Sequence, residues 1–154
     1  MGPMGPMVPM DPYIYVYIIT LYIHLYIVYM EVLVPVVSML VLDGLYLSNV
    51  GGPMFGNMVR KIQGSDLKMN IGGAIGAYML MVIALYKFII VERRSPTDAF
   101  LLGLCIYGVF DFTNYAIFTD YEMMYTGVMD MIWGGILYYI VTWFTYKVLG
   151  ITRR

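Results

Sequence analysis

Four apolar runs, residues 32–50, 69–90, 97–118 and 123–149, are separated by short stretches that carry charges and chain-breaking residues. A helix rising about 1.5 Å per residue needs roughly 20 residues to cross a hydrocarbon core of about 30 Å, and each run is near or above that length. The separators are 51–68, which opens on Gly51-Gly52-Pro53, then Glu92-Arg93-Arg94-Ser95-Pro96, then Thr119-Asp120-Tyr121-Glu122. Lipid offers backbone amides no water, so closed helices joined by short loops are the expected solution. The sequence therefore predicts an all-α fold, a polytopic transmembrane helical bundle with four core helices.

Composition agrees. Hydrophobic residues make up 61% and charged residues 12%, against about 25% charged in soluble domains, which leaves too little polar surface for a water-facing globule. A net charge of −1 with no basic block lacks the electrostatic footprint of a nucleic-acid binder, so no nucleic-acid partner is expected. One cysteine, Cys105, and one histidine, His24, exclude an internal disulfide, a Cys/His zinc site and a nucleophile activated by a His base. The chain reads as non-enzymatic, with no catalytic residue, cofactor or metal site to assign and the lipid bilayer as its first partner.

A further apolar stretch, 13–30, is built differently, with tyrosine nearly alternating with aliphatic residues and no glycine. A TA-dinucleotide repeat translates to alternating Tyr and Ile, and the Met-Gly-Pro-Met-Gly-Pro before it is repetitive too. Two readings stay open. Residues 1–29 are a low-complexity extension, with Met30-Glu31 the start of a four-helix domain over 30–154, or 13–30 is an extra N-terminal spanning helix. A secretory leader is not expected, because residues 1–12 hold no Lys or Arg and no small-residue cleavage site follows. In the four-helix layout Lys87, Arg93, Arg94, Lys147, Arg153 and Arg154 fall on one side, and Arg60, Lys61 and Lys68 on the other. That bias predicts a cytoplasmic C-terminus for this multi-pass membrane protein.

Of ten acids, seven lie in tails or loops where water solvates them. Asp43, Asp111 and Asp130 do not. A carboxylate deep in a membrane helix costs on the order of 2.5–3.5 kcal/mol on insertion scales, so such groups face the bundle interior and mark function or packing. Asp43 stands seven residues before Val50, Asp111 seven before Phe118 and Asp130 seven after Met123. The spacing predicts one layer about 10 Å below the non-cytoplasmic boundary. Residues three or four apart share a helix face, which gives each acid a neighbour: Tyr46 for Asp43, Asn114 and Tyr107 for Asp111, Trp133 for Asp130. With no Lys or Arg at this depth, the acids are expected to share protons or to surround a cation. Three uses compete: interhelical hydrogen bonding, a proton or solute site, and a metal-dependent intramembrane enzyme, for which no base or nucleophile is at hand.

Weaker signals concern packing. Gly72/Gly76, Gly73/Ala77, Gly44/Ser48 and Ala99/Gly103 have the spacing that lets helices approach closely. Cys105 is expected to be a small core residue, and the fifteen methionines show no ligand spacing.

Three stretches carry a family resemblance. Leu42-Asp43-Gly44-Leu45-Tyr46-Leu47, the run Tyr107-Gly108-Val109-Phe110-Asp111-Phe112-Thr113-Asn114-Tyr115-Ala116, and Asp130-Met131-Ile132-Trp133-Gly134 resemble, in the same order, the small membrane proteins called domain of unknown function 2177. The resemblance covers about 32–150 and is strongest to copies in large DNA viruses of algae and protists, where Ile62-Gln63-Gly64-Ser65 and Asn114-Tyr115-Ala116-Ile117-Phe118 also have counterparts. Residues 1–29 fall outside the pattern, and Tyr46 replaces a tryptophan common in bacterial members. The resemblance implies the bundle and the polar layer, and no activity. It extends the expectation to a structural component of a cellular or viral membrane, with a virion inner membrane as the location. A second copy or neighbouring membrane or capsid proteins would be its partners. The alternative is a proton-coupled transporter or channel for a small solute or cation, with Asp43, Asp111 and Asp130 binding and Asn114, Tyr107 and Trp133 orienting.

Overall fold

The computed structural model describes residues 11–152. Arg153 and Arg154, counted above toward the orientation, and most of the repetitive N-terminus lie outside the described residues.

Five α-helices follow in order: α1 (Pro12–Tyr46), α2 (Gly52–Gln63), α3 (Ile71–Leu85), α4 (Pro96–Ile117) and α5 (Val128–Leu149). Three π-helical turns extend them, Leu47–Gly51 after α1, Tyr86–Ile90 after α3 and Met123–Gly127 before α5. Four helical runs are long and apolar enough to cross a membrane: Tyr13–Gln63, Ile71–Ile90, Pro96–Ile117 and Met123–Leu149.

Two expectations change. The stretch 13–30 forms no fifth helix of its own, because it belongs to α1. Gly51-Gly52-Pro53, read above as the start of a loop, lies inside a continuous helical run. Just before Pro53, which has no amide to give, the Gly52 N–H bonds the Leu47 carbonyl and closes the π-helical turn that leads into α2.

The chain divides into two units at Met30. In the first, the Asp11 carboxylate accepts from the Tyr13 amide at 2.9 Å, and almost all side chains are exposed, tyrosines included. In the second, α4 and α5 make the principal helix-to-helix contact. Its core holds Met39, Leu85, Ile90, Ala99, Leu137, Tyr138 and Val141. A Cβ on Gly103 would run into the backbone carbonyl of Gly134, one on Gly134 into the Tyr107 ring, and one on Gly135 would lie 2.7 Å from the Phe100 ring. The Ala99/Gly103 pair is thus a real seam. Gly44 and Gly76 meet nothing within 4 Å, and Gly72 and Gly73 meet only Asn70, the cap of their own helix. Cys105, expected in the core, is exposed, because it points away from that seam.

Helix ends are closed locally. Ser95 and Asp98 form a reciprocal capping box at α4, and the Asn70 side chain accepts from the Gly73 amide at 3.0 Å, satisfying amides that have no partner within the helix. At the other end of α3 the Tyr146 hydroxyl donates to the carbonyls of Ile89 (3.1 Å) and Arg94 (2.9 Å). Two ion pairs mark opposite ends of this unit. Arg93, in the left-handed region at φ 54°, reaches Glu31 at 2.6 Å, and Lys61 of α2 pairs with Glu122. Glu31, expected to be solvated, is 5% exposed. The α3–α4 connection therefore lies level with residue 31, as the four-crossing layout requires.

Candidate functional site

Asp43, Asp111 and Asp130 are all buried, at 5%, 0% and 5% exposure. The Asp43 carboxylate on α1 is held from two other helices at once. Trp133 of α5 donates its indole N–H to Oδ1 at 2.7 Å, and the hydroxyl of Tyr78 of α3 donates to Oδ2. Asp111 accepts from the hydroxyl of Tyr121, in the α4–α5 connection, through Oδ1. Burial, and then that bond, push the Tyr121 phenol above its ordinary range, so it stays a donor. Oδ2 of Asp111 and the hydroxyls of Tyr46 and Thr126 are buried without a hydrogen-bond partner.

The neighbours predicted from helical spacing are present but exchanged. Tyr46, one turn beyond Asp43, faces Asp130 without a bond of standard geometry. Trp133, one turn beyond Asp130, bonds Asp43. The two rings stack between them, with centroids 4.4 Å apart and planes 11° from parallel. The cause is direction. α1 and α5 cross in opposite senses, so a step of three residues moves outward on one and inward on the other. Asp43 then stands opposite Trp133, and Asp130 opposite Tyr46. The two acids are consequently offset by about one helical step of three residues, roughly 4.5 Å, instead of sharing one height.

Asp130 remains within electrostatic reach of both Asp111 and Asp43. Yet no three carboxylate, His or Cys groups among the described residues come close enough to hold one metal ion, which gives no support to the cation named above as the alternative to shared protons. Asn114 also departs from expectation. Its amide donates to its own helix, to the Phe110 carbonyl at 3.0 Å, and it forms no bond to an aspartate. Tyr107 does reach the layer and lines a groove with Asp43 and Asp130.

That groove has a volume of about 590 Å³. Its walls come from α3 and α4 (Tyr78, Met81, Ala84, Ile106, Tyr107 and Phe110), with Phe55 of α2 at one end. Among the described residues, the charged groups on it are Asp43 and Asp130. Asp111 lies outside it.

The two donors that matter most, Tyr78 and Tyr121, were not among the sequence candidates. Neighbours three or four residues away are by definition on the same helix, and both phenols come from elsewhere. A weaker signal for Tyr78 existed: it stands nine residues into the run that begins at Met69, near the seven-residue depth that singled out the acids. Tyr121, in a connection of polar residues, offered none.

A family model described as Predicted membrane protein (DUF2177) matches residues 13–147. The chain belongs to this family. Residues 13–29, part of the stretch 1–29 placed outside the family pattern on sequence resemblance, lie within the match, as do all three aspartates. No curated protein and no solved structure matches the chain.

Proposed function

We propose that this DUF2177 protein is a non-enzymatic structural component of a cellular or viral membrane, in which the aspartates join helices. One observation carries the proposal. Both oxygens of Asp43 on α1 are engaged, one by α3 and one by α5, so this carboxylate is spent on connection. Asp111 likewise ties the α4–α5 connection to α4 through Tyr121. In this proposal the C-terminus is cytoplasmic, with Lys87, Arg93, Arg94 and Lys147 on that side. The neighbours are lipid and either a second copy or other membrane or capsid proteins.

The test compares Asp43→Ala with Asp43→Asn in reversible unfolding from detergent micelles. Alanine leaves two buried donors unpaired and should cost about 2 kcal/mol, whereas asparagine keeps an acceptor and should cost less than about 1 kcal/mol. Equal, negligible losses would remove the structural role.

A second reading, a proton-coupled carrier for a small solute or cation, is favoured by the groove that reaches Asp43 and Asp130 and by the buried Asp111 oxygen left without a hydrogen-bond partner. Reconstituted vesicles decide it: on this reading Asp111→Asn abolishes pH-dependent flux in a protein that still folds, and unchanged flux rejects it.

A further inference from the structure

The groove between α3 and α4 combines three properties that do not occur together by default in a membrane protein. First, its walls are apolar and aromatic, with the rings of Phe55, Tyr78, Tyr107 and Phe110 on them. Secondly, two carboxylates reach it and no Lys or Arg does, so an occupant meets negative charge with no counter-ion from the chain. Thirdly, those carboxylates differ. Asp43 has both oxygens bonded. Asp130, 5% exposed, lines the groove and has the Tyr46 hydroxyl as its near donor.

Each property narrows the occupant. An ordinary acyl chain would cover the Asp130 carboxylate and supply no further hydrogen bond to it, which is costly. A phospholipid headgroup would bring its phosphate against two carboxyl groups with no cation between them. A fatty acid fails for the same reason. A cation without an accompanying anion adds a charge-assisted bond to the Asp130 carboxylate and meets the electron-rich ring faces. The apolar walls suit a hydrocarbon tail, and about 590 Å³ lies within the range of small-molecule sites, roughly 300–1,000 Å³.

We propose that this groove binds a single-chain amphiphile with an ammonium head, a long-chain amine taken from the bilayer, with the head at Asp130 among the aromatic rings and the tail along α3 and α4. This goes beyond the structural role above and does not depend on it, since the clamp acts through Asp43 and the head through Asp130.

The test uses the full chain in phosphatidylcholine nanodiscs with Trp143→Phe, so that Trp133, bonded to Asp43 beside the groove, is the remaining tryptophan. Chain-brominated hexadecylamine should quench its fluorescence saturably. The alcohol and the carboxylate with the same brominated chain should bind at least about tenfold more weakly, and Asp130→Asn should weaken amine binding about tenfold. Ala84→Phe, which fills the groove and leaves the carboxylates in place, should abolish saturation. Equal quenching by amine and alcohol, or unchanged amine binding in Asp130→Asn, overturns the proposal. If Asp130→Asn does not fold, Ala84→Phe decides alone, and unchanged quenching in it overturns the proposal. Displacement of the amine by water-borne tetramethylammonium at equal concentration would assign the site to a soluble cation and overturn the lipid occupant.

Discussion

The α4–α5 seam and the attachment of α1 solve the same problem by different chemistry. At the seam Gly103, Gly134 and Gly135 remove side chains, so that backbone and aromatic rings of the facing helix move into the vacated space. The attraction is dispersion between closely fitted surfaces, the main force left when lipid is as apolar as the helix. α1 instead reaches its neighbours with side chains: Asp43 to Tyr78 and Trp133, and Glu31 to Arg93. A close-packed seam tolerates no added volume. A polar attachment tolerates volume but not the loss of one partner.

That contrast can be broken most severely at Gly103. Gly103→Leu should destabilise the fold by about 3 kcal/mol or more, because the backbone of α5 cannot step aside as a flexible side chain can. Gly76→Leu, where nothing lies within 4 Å, should change stability by less than about 0.5 kcal/mol. Unfolding midpoints of the two variants in one detergent make the comparison, and similar losses would mean that the seam is not special.

The polar side is sharpened by removing whole networks. Asp43→Leu alone should cost about 2 kcal/mol, since it strands both the Tyr78 hydroxyl and the Trp133 N–H. Adding Tyr78→Phe and Trp133→Phe should recover about half of that loss, because apolar groups need no partner. Failure to recover any stability would show that shape, and not hydrogen bonding, is what Asp43 supplies.

The smallest effects belong to the ion pairs. Glu31→Gln leaves the partly buried Arg93 guanidinium, 28% exposed, without its charge partner, and should cost about 1 kcal/mol. Lys61→Ala breaks a pair whose members are 60% and 37% exposed and should cost less than about 0.5 kcal/mol. Chemical unfolding at low and high salt separates them, with salt acting mainly on the second.

Much of this was legible from residue order. The runs 69–90, 97–118 and 123–149 match Ile71–Ile90, Pro96–Ile117 and Met123–Leu149 to within two residues at either end. The first run was not, because Gly51-Gly52-Pro53 carries every mark of a turn and only the π-helical turn before it keeps the helix going. At the site, the depth count found Asp43, Asp111 and Asp130, but i+3 spacing assigned Tyr46 and Trp133 to the wrong acids and brought in Asn114, which bonds its own backbone. Small-residue spacing chose Ala99/Gly103 correctly, gave equal weight to the open glycines of α3, and passed over Gly134-Gly135.

By itself the sequence determined that the chain crosses a bilayer as apolar helices, where three of those helices begin and end and that Asp43, Asp111 and Asp130 are carried inside. Those properties follow from hydrophobicity and rise per residue, which are summed along one helix and need no neighbour. Only the tertiary structure decided which phenol meets which carboxylate, that Asp130 lines a groove and that Asp111 does not. Those outcomes depend on the rotation, direction and offset of one helix against another, and these are set by packing across the bundle, which no spacing within a single helix records.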